Sequence, residues 1–242
     1  MKALNLEQTA LFLDFDGTLV DFAETPESVE VSGELRALLR ALNKHLSGAL
    51  AVVSGRSLES LDALLGLPEI AAAGGHGAEW RLGGGETRHA EGVDLEALAD
   101  VRAKLAPMAA EHALLLEDKG HSMALHFRSR PNMEAPLDEF IASQISPLPG
   151  IRVIAGNCVR EVQARGVDKG LAVARFMQLN PFYGRSPCYI GDDTTDEDAF
   201  ACVNDRAGVS IKVGTGSSVA SLRLADVMDV HQFLQRSLSR GN

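Results

Sequence analysis

Cysteine is scarce: the 242 residues contain three, Cys158, Cys188 and Cys202. Any disulfide scheme leaves one of them unpaired and their spacing fits no metal-ligand motif, so they read as reduced core residues of a cytosolic protein. Long apolar runs are missing too. The first run, Ala10 to Leu13, follows Glu7 and Gln8 and stops at Asp14, so neither a signal peptide nor a membrane span is expected. Positive charge is short, with 23 Lys and Arg against 33 Asp and Glu and a net charge of −10. That balance excludes non-specific binding to nucleic acid or anionic membranes, which need a basic surface. No repeat or low-complexity segment is evident. Gly214-Thr215-Gly216 has Val219 where a dinucleotide fingerprint needs glycine, and reads as a surface loop.

What the chain does have is acid in two places. Asp14-Phe15-Asp16-Gly17-Thr18 ends the run Ala10-Leu11-Phe12-Leu13. Spacing two puts both carboxylates on one face where a buried strand runs out, the usual position of chemistry in an open α/β sheet. Gly17 permits a sharp turn, and Thr18 offers a hydroxyl to whatever the acids hold. Downstream, Gly191-Asp192-Asp193-Thr194-Thr195-Asp196-Glu197-Asp198 follows Cys188-Tyr189-Ile190. If the two clusters meet, each close carboxylate pair repels by about 4 kcal/mol at an effective dielectric near 20, and a cation removes the conflict. Oxygen-only donors point to Mg²⁺ rather than to a calcium EF-hand, whose spaced acids, central glycine and terminal glutamate are absent. The second cluster also reads as a helix N-terminus, with Thr194 or Thr195 as N-cap.

Organisation supports an α/β protein with an insertion. Strand-like Ala10–Leu13, helical Glu34–Leu46 and strand-like Ala49–Val53 set a βαβ rhythm, which continues with a helix over Glu59–Leu65 and a strand over Ile70–Ala73. Gly83-Gly84-Gly85 reads as a hairpin turn between Ala78–Leu82 and Thr87–Ala90. The middle changes character. A helix at Leu95–Glu111, strands at Ala113–Glu117 and Ser122–Phe127, a helix at Glu134–Ile145 and strands at Ile151–Ala155 and Cys158–Gln163 predict a small antiparallel sheet with helices on one face. Its last two strands turn at Gly156-Asn157. From Asp168 the rhythm returns, with a helix through Met177, a strand ending at Gly191, a helix at Glu197–Val203 and a strand at Ala207–Val213. The expected domains are 1–91 with 164–242, and 92–163 inserted between them.

Taken together, Asp14-Phe15-Asp16-Gly17-Thr18, Ser54-Gly55-Arg56 after a strand, Lys169-Gly170 before a helix, and Gly191-Asp192-Asp193 with Asp196 resemble the four motifs of the haloacid dehalogenase superfamily of phosphatases. Within it, Gly75-His76-Gly77-Ala78-Glu79, Glu117-Asp118-Lys119-Gly120-His121-Ser122 and the second acidic cluster resemble the trehalose-6-phosphate phosphatase family, over nearly the whole chain. The resemblance implies a Rossmann-like parallel-sheet core with an inserted α/β cap. It implies that Asp14 attacks phosphorus to give an aspartyl phosphate, and that Asp16 acts as general acid and then base. Ser54 and Lys169 would hold the non-bridging phosphate oxygens. Mg²⁺ would be held by Asp14, the Asp16 carbonyl and Asp192, with Asp193 or Asp196 adding an indirect contact.

Sugar recognition falls by the same resemblance to Glu117, Lys119 and Ser122, with Gly55, Arg56 and His76 on core loops. Glu161 lies in a cap strand and reads equally as a sugar ligand or a solvated carboxylate. His126 and Arg128 alternate with Leu125 and Phe127 on the polar face of a cap strand. Ser54 also reads as an N-cap for the helix at 59, and Lys169 as a solvated helix residue. The expected activity is hydrolysis of a small sugar phosphate, trehalose 6-phosphate by the resemblance, in the cytoplasm. A phosphatase of another sugar phosphate such as sucrose 6-phosphate, a mutase, and a catalytically silent sensor stay open.

Overall fold

The computed structural model describes residues 3–23, 28–91, 95–118, 120 and 122–240. The chain divides into two compact units, Met1–His89 with Asp168–Asn242, and Ala90–Val167.

The first unit starts with β1 (Thr9–Leu13), α1 (Gly33–His45), β2 (Leu50–Val53), α2 (Leu58–Leu65), β3 (Ala71–Gly74), β4 (Glu79–Arg81) and β5 (Arg88–His89). All five residues of β1 are buried, as expected of a parallel strand covered on both faces. Leu35, Leu38, Leu39 and Leu42 form the buried stripe of α1, and Ser32 caps it by accepting the Leu35 N–H at 3.1 Å. Ser57 caps α2, so Ser54 is not the N-cap that the sequence allowed. The Gly83–Gly85 turn joins β4 to β5, which pair antiparallel.

The second unit holds α3 (Leu95–Glu111), β6 (Leu115–Asp118), β7 (Ser122–His126), α4 (Glu134–Phe140), β8 (Ile151–Gly156) and β9 (Val159–Ala164). Its sheet runs β6-β7-β9-β8, all antiparallel. Helix α4 continues into a wider π turn over Ile141–Ile145, so the single helix read from the sequence spans two hydrogen-bond patterns. The hairpin turn sits at Asn157 and Cys158, one residue later than expected. Gly156 pairs with Val159 in the ladder, and Cys158 takes the left-handed conformation at φ 59°. One face of this sheet packs Met123, Leu125 and Val162 against Leu98, Val101, Leu105 and Leu137. The register places Glu117, Ser122, Ala124, His126, Glu161 and Gln163 together on the other face.

The chain returns to the first unit with α5 (Lys169–Phe176), β10 (Ser186–Gly191), α6 (Glu197–Asn204), β11 (Val209–Val213), β12 (Leu222–Leu224) and α7 (Val227–Arg240). The completed sheet has eight strands in the order β12-β11-β10-β1-β2-β3-β4-β5, parallel from β12 through β3. Phe12, Phe176 and Phe182 pack ring on ring beneath it, with Phe12 and Phe182 centroids 5.3 Å apart. Strands added after β1 go to one side and those after β10 to the other. A topological switch point therefore lies between β1 and β10, where open α/β sheets bind ligands beyond the carboxyl ends of the strands.

Candidate active site

Asp14 stands immediately past β1 and its N–H bonds to Ile190 O at 2.9 Å, which ties it to the neighbouring strand β10. The chain then folds back tightly. The N–H groups of Leu19 and Val20 bond to Phe15 O, and Gly17 N–H bonds to Val20 O at 2.7 Å. Gly17 has φ 76°, and a Cβ there would overlap the Asp192 carboxylate. This turn therefore needs glycine for its conformation and for the room that Asp192 occupies.

Helix α5 delivers Lys169. Asp168 caps the helix by accepting the Leu171 N–H at 2.7 Å, and Lys169, the first helical residue, is 3% exposed. Its Nζ donates to Asp14 Oδ1 and to Asp196 Oδ1, each at 2.7 Å. An unpaired buried ammonium would be prohibitive, so these two carboxylates are what keep Lys169 inside. Asp196, fully buried, accepts four donors: Lys169 Nζ, Tyr189 OH at 2.7 Å, and the N–H groups of Asp192 and Asp193 at 2.9 Å each. It organises the loop after β10. Asp193 is the N-cap of the turn Thr194–Asp196, accepting the Thr194 N–H at 2.6 Å in a capping box with Asp196, so neither threonine is the cap.

The electrostatics of this cluster are unbalanced. Burial, then the charge of Asp196, pushes the Asp14 carboxyl well above the usual carboxylate range against the pull of Lys169. Burial and Asp196 likewise push Asp192 up to about 6. Burial alone would lower the Lys169 ammonium, yet the Asp14 and Asp196 charges hold it above lysine's ordinary value. Asp14, Asp192 and Asp196 each offer a carboxylate oxygen within 4.8 Å of the others. Asp192 Oδ1 and Thr18 Oγ1 are buried with no hydrogen-bond partner among the described residues. Crowded carboxylates and an orphaned buried oxygen fit a hard, oxygen-seeking cation.

The other expected core residues divide as follows. Arg56 grips Asp16 with both carboxylate oxygens engaged, Nε on Oδ2 and Nη2 on Oδ1 at 2.7 Å each. Such a bidentate contact fixes the orientation of the carboxylate. Ser54, 1% exposed, follows β2, next to β1 in the sheet, and its Oγ accepts the Arg56 N–H at 3.1 Å. Gly55 lies against His76, whose ring carbon would sit 2.7 Å from a Cβ there. His76 N–H donates to Ser54 O at 2.8 Å, so the two loops are laced together. Among the described residues the carboxylate cluster contains neither Asp16 nor Asp193.

In the second unit, the polar sheet face forms two side-chain pairs. Ser122 Oγ donates to Glu161 Oε1 at 2.7 Å, and His126 Nε2 lies 3.1 Å from Glu117 Oε2. Arg128 departs from the expected pattern: β7 ends at His126, opposite the first residue of β9, and Arg128 stands exposed in the following turn. Lys119 lies outside the described residues.

Two participants were not read from the sequence. Tyr189 on β10 supplies the hydroxyl to Asp196. Lys212 on β11, beside Gly191 in the register, donates its Nζ to the Asp192 carbonyl. A lone lysine in the apolar run Val209–Val213 was the available signal, since a charge buried in a strand needs a partner.

A family model described as trehalose-phosphatase matches residues 12–228. The trehalose-6-phosphate phosphatase of Escherichia coli (strain K12) is 42% identical over 228 residues, covering 93% of this chain and 85% of that protein. The C-terminal domain of the C. albicans trehalose-6-phosphate phosphatase superposes with a TM-score of 0.84 over 98% of this chain and 97% of that one, at 21% identity. A haloacid dehalogenase-like hydrolase from B. subtilis superposes with a TM-score of 0.68 over 95% of this chain and 99% of that one, at 13% identity. The chain shares its α/β fold with both of these structures.

Proposed function

The chain belongs to the trehalose-phosphatase family, and from that premise we propose that it hydrolyses trehalose 6-phosphate to trehalose and inorganic phosphate by way of an aspartyl phosphate. The observation that carries the reaction is the buried Asp14–Lys169–Asp196 constellation at the switch point of the sheet.

Asp14 is the nucleophile. Its carboxylate attacks phosphorus, the bond from phosphorus to the sugar oxygen breaks, and the oxygen leaves with a proton from Asp16. Water then attacks the same phosphorus, giving its proton to Asp16, and the phosphorus–Asp14 bond breaks to restore the carboxylate. Lys169 fixes the rotamer of Asp14 through Oδ1, and with Ser54 it would donate to the transferring oxygens. Arg56 engages both Asp16 oxygens, and an incoming anionic substrate offers the guanidinium another partner, which would free Asp16 for the sugar oxygen. Asp14 and Asp192, with the Asp16 carbonyl, would hold Mg²⁺, which when bound screens the negative charge of nucleophile and phosphate.

The unit Ala90–Val167 acts as the cap, with Glu117, Lys119, Ser122, His126 and Glu161 offering carboxylates and donors suited to sugar hydroxyls. Three unpaired cysteines support a reducing, cytoplasmic setting. The test is phosphate release from trehalose 6-phosphate, glucose 6-phosphate and sucrose 6-phosphate, each with Mg²⁺ and with EDTA. Metal-dependent turnover confined to the trehalose ester is the expected result. Turnover of all three esters at similar rates would refute the substrate, and none at all would refute the activity.

A further inference from the structure

The polar face of the second unit's sheet holds one residue with no role so far. Gln163 on β9 is 2% exposed. It stands opposite Ser122 on β7 and opposite Arg152 on β8, two residues along from Glu161 and on the same face. Glu161 has its donor in Ser122, and Glu117 has His126. Gln163 Oε1, in contrast, is the buried side-chain oxygen of this unit that lacks a hydrogen-bond partner among the described residues. Leaving a buried carbonyl unpaired costs free energy, and a residue kept only for packing on this strand would serve better as leucine.

We propose that Gln163 is a further sugar-recognition residue, its side-chain carbonyl accepting a hydrogen bond from a hydroxyl of the substrate's glucosyl part. This rests on the functional reading above, in which this sheet face contacts the sugar. A polyhydroxylated ligand brings the donor that the folded chain does not supply. A site built to accept a hydroxyl then rejects phosphate esters that lack it, since its acceptor would stay buried and unpaired. Gln163 thus discriminates among esters and leaves the phosphoryl chemistry alone.

The test compares Gln163→Leu and Gln163→Glu with the parent, on trehalose 6-phosphate and on p-nitrophenyl phosphate, a monoester without sugar, and records thermal midpoints. For Gln163→Leu the KM for trehalose 6-phosphate should rise about tenfold or more, which is the loss of one neutral hydrogen bond. Its kcat/KM on p-nitrophenyl phosphate should stay at the parent value, and its melting temperature should hold or rise because an orphaned acceptor has gone. Gln163→Glu, which keeps an acceptor, should lose less than Gln163→Leu on the sugar ester. Equal losses on both esters, or a lowered melting temperature with no change in KM, would mean a structural residue and overturn the proposal. Parent protein that turns over trehalose 6-phosphate while both variants match it would overturn this inference alone. Parent protein inactive on that ester would bring down the functional reading first.

Discussion

Replacing Lys169 by methionine isolates the electrostatics of the buried Asp14–Lys169–Asp196 group. The ammonium lies 2.7 Å from both Asp14 and Asp196, and all three side chains are at most 5% exposed. At an effective dielectric near 20, each contact corresponds to about 6 kcal/mol of Coulomb attraction before the cost of burial is subtracted. Removing one member of a buried ion pair costs about 3–5 kcal/mol, because the partner's charge stays behind. In EDTA at pH 8, Lys169→Met should therefore be less stable than the parent by about that amount.

The deficit must depend on pH, and its sign is fixed. Burial and Asp196 already raise Asp14, and burial raises Asp192 to about 6, while Lys169 pulls both down. Without Lys169 both rise further. A carboxyl with a raised folded pKa binds more protons folded than unfolded, so it penalises folding above that pKa and relaxes the penalty as pH falls toward the unfolded value. The deficit should thus shrink between pH 8 and pH 5. Urea unfolding in EDTA at the two pH values measures it. A deficit under about 1 kcal/mol at pH 8 would refute the buried-pair argument, since that is the range of an exposed pair. An equal deficit at both pH values would refute the assignment of the uncompensated charge to these carboxylates.

Gly17→Ala should lower activity at fixed Mg²⁺ by more than tenfold and raise the Mg²⁺ needed for half-maximal rate, since the new methyl displaces the Asp192 carboxylate and φ 76° costs about 1–2 kcal/mol for a residue with a Cβ. Wild-type Mg²⁺ dependence in that variant, by titration of activity, would show that the close approach to Asp192 has no bearing on the metal. Asp193 separates capping from metal binding: Asp193→Ala should lose about 1 kcal/mol in a denaturant melt while Asp193→Ser, which still caps, keeps stability and Mg²⁺ affinity. A large drop in Mg²⁺ affinity for Asp193→Ser would instead place Asp193 among the ligands.

Local patterns made much of this legible. Leu35, Leu38, Leu39 and Leu42 announce α1 by period, and the helix expected near Leu95 to Glu111 is there as α3. The hairpin after β8 slipped by one because the reversed order Gly156-Asn157 leaves Cys158 to take the left-handed conformation that glycine usually supplies. Strand β12 and helix α7 were passed over, although Val230, Phe233 and Leu234 recur at helical spacing. The mis-set side chain, Arg128, followed from extending strict alternation past His126, where the strand ends.

The sequence by itself determined where acid stands relative to apolar run, and hence that Asp14 and Asp192 directly follow buried strands, with Asp16 and Asp196 in the loops after them. Those are local facts of spacing. Only the tertiary structure decided how they are shared out: Asp196 is consumed by four donors, Asp193 by a cap, and Asp16 by Arg56, while Asp192 keeps an oxygen in reserve. Strand order brings together Lys169 and Asp14, hydrogen-bond partners 155 residues apart in the chain. A one-dimensional pattern holds the residue types but not the directions in which the sheet aims them.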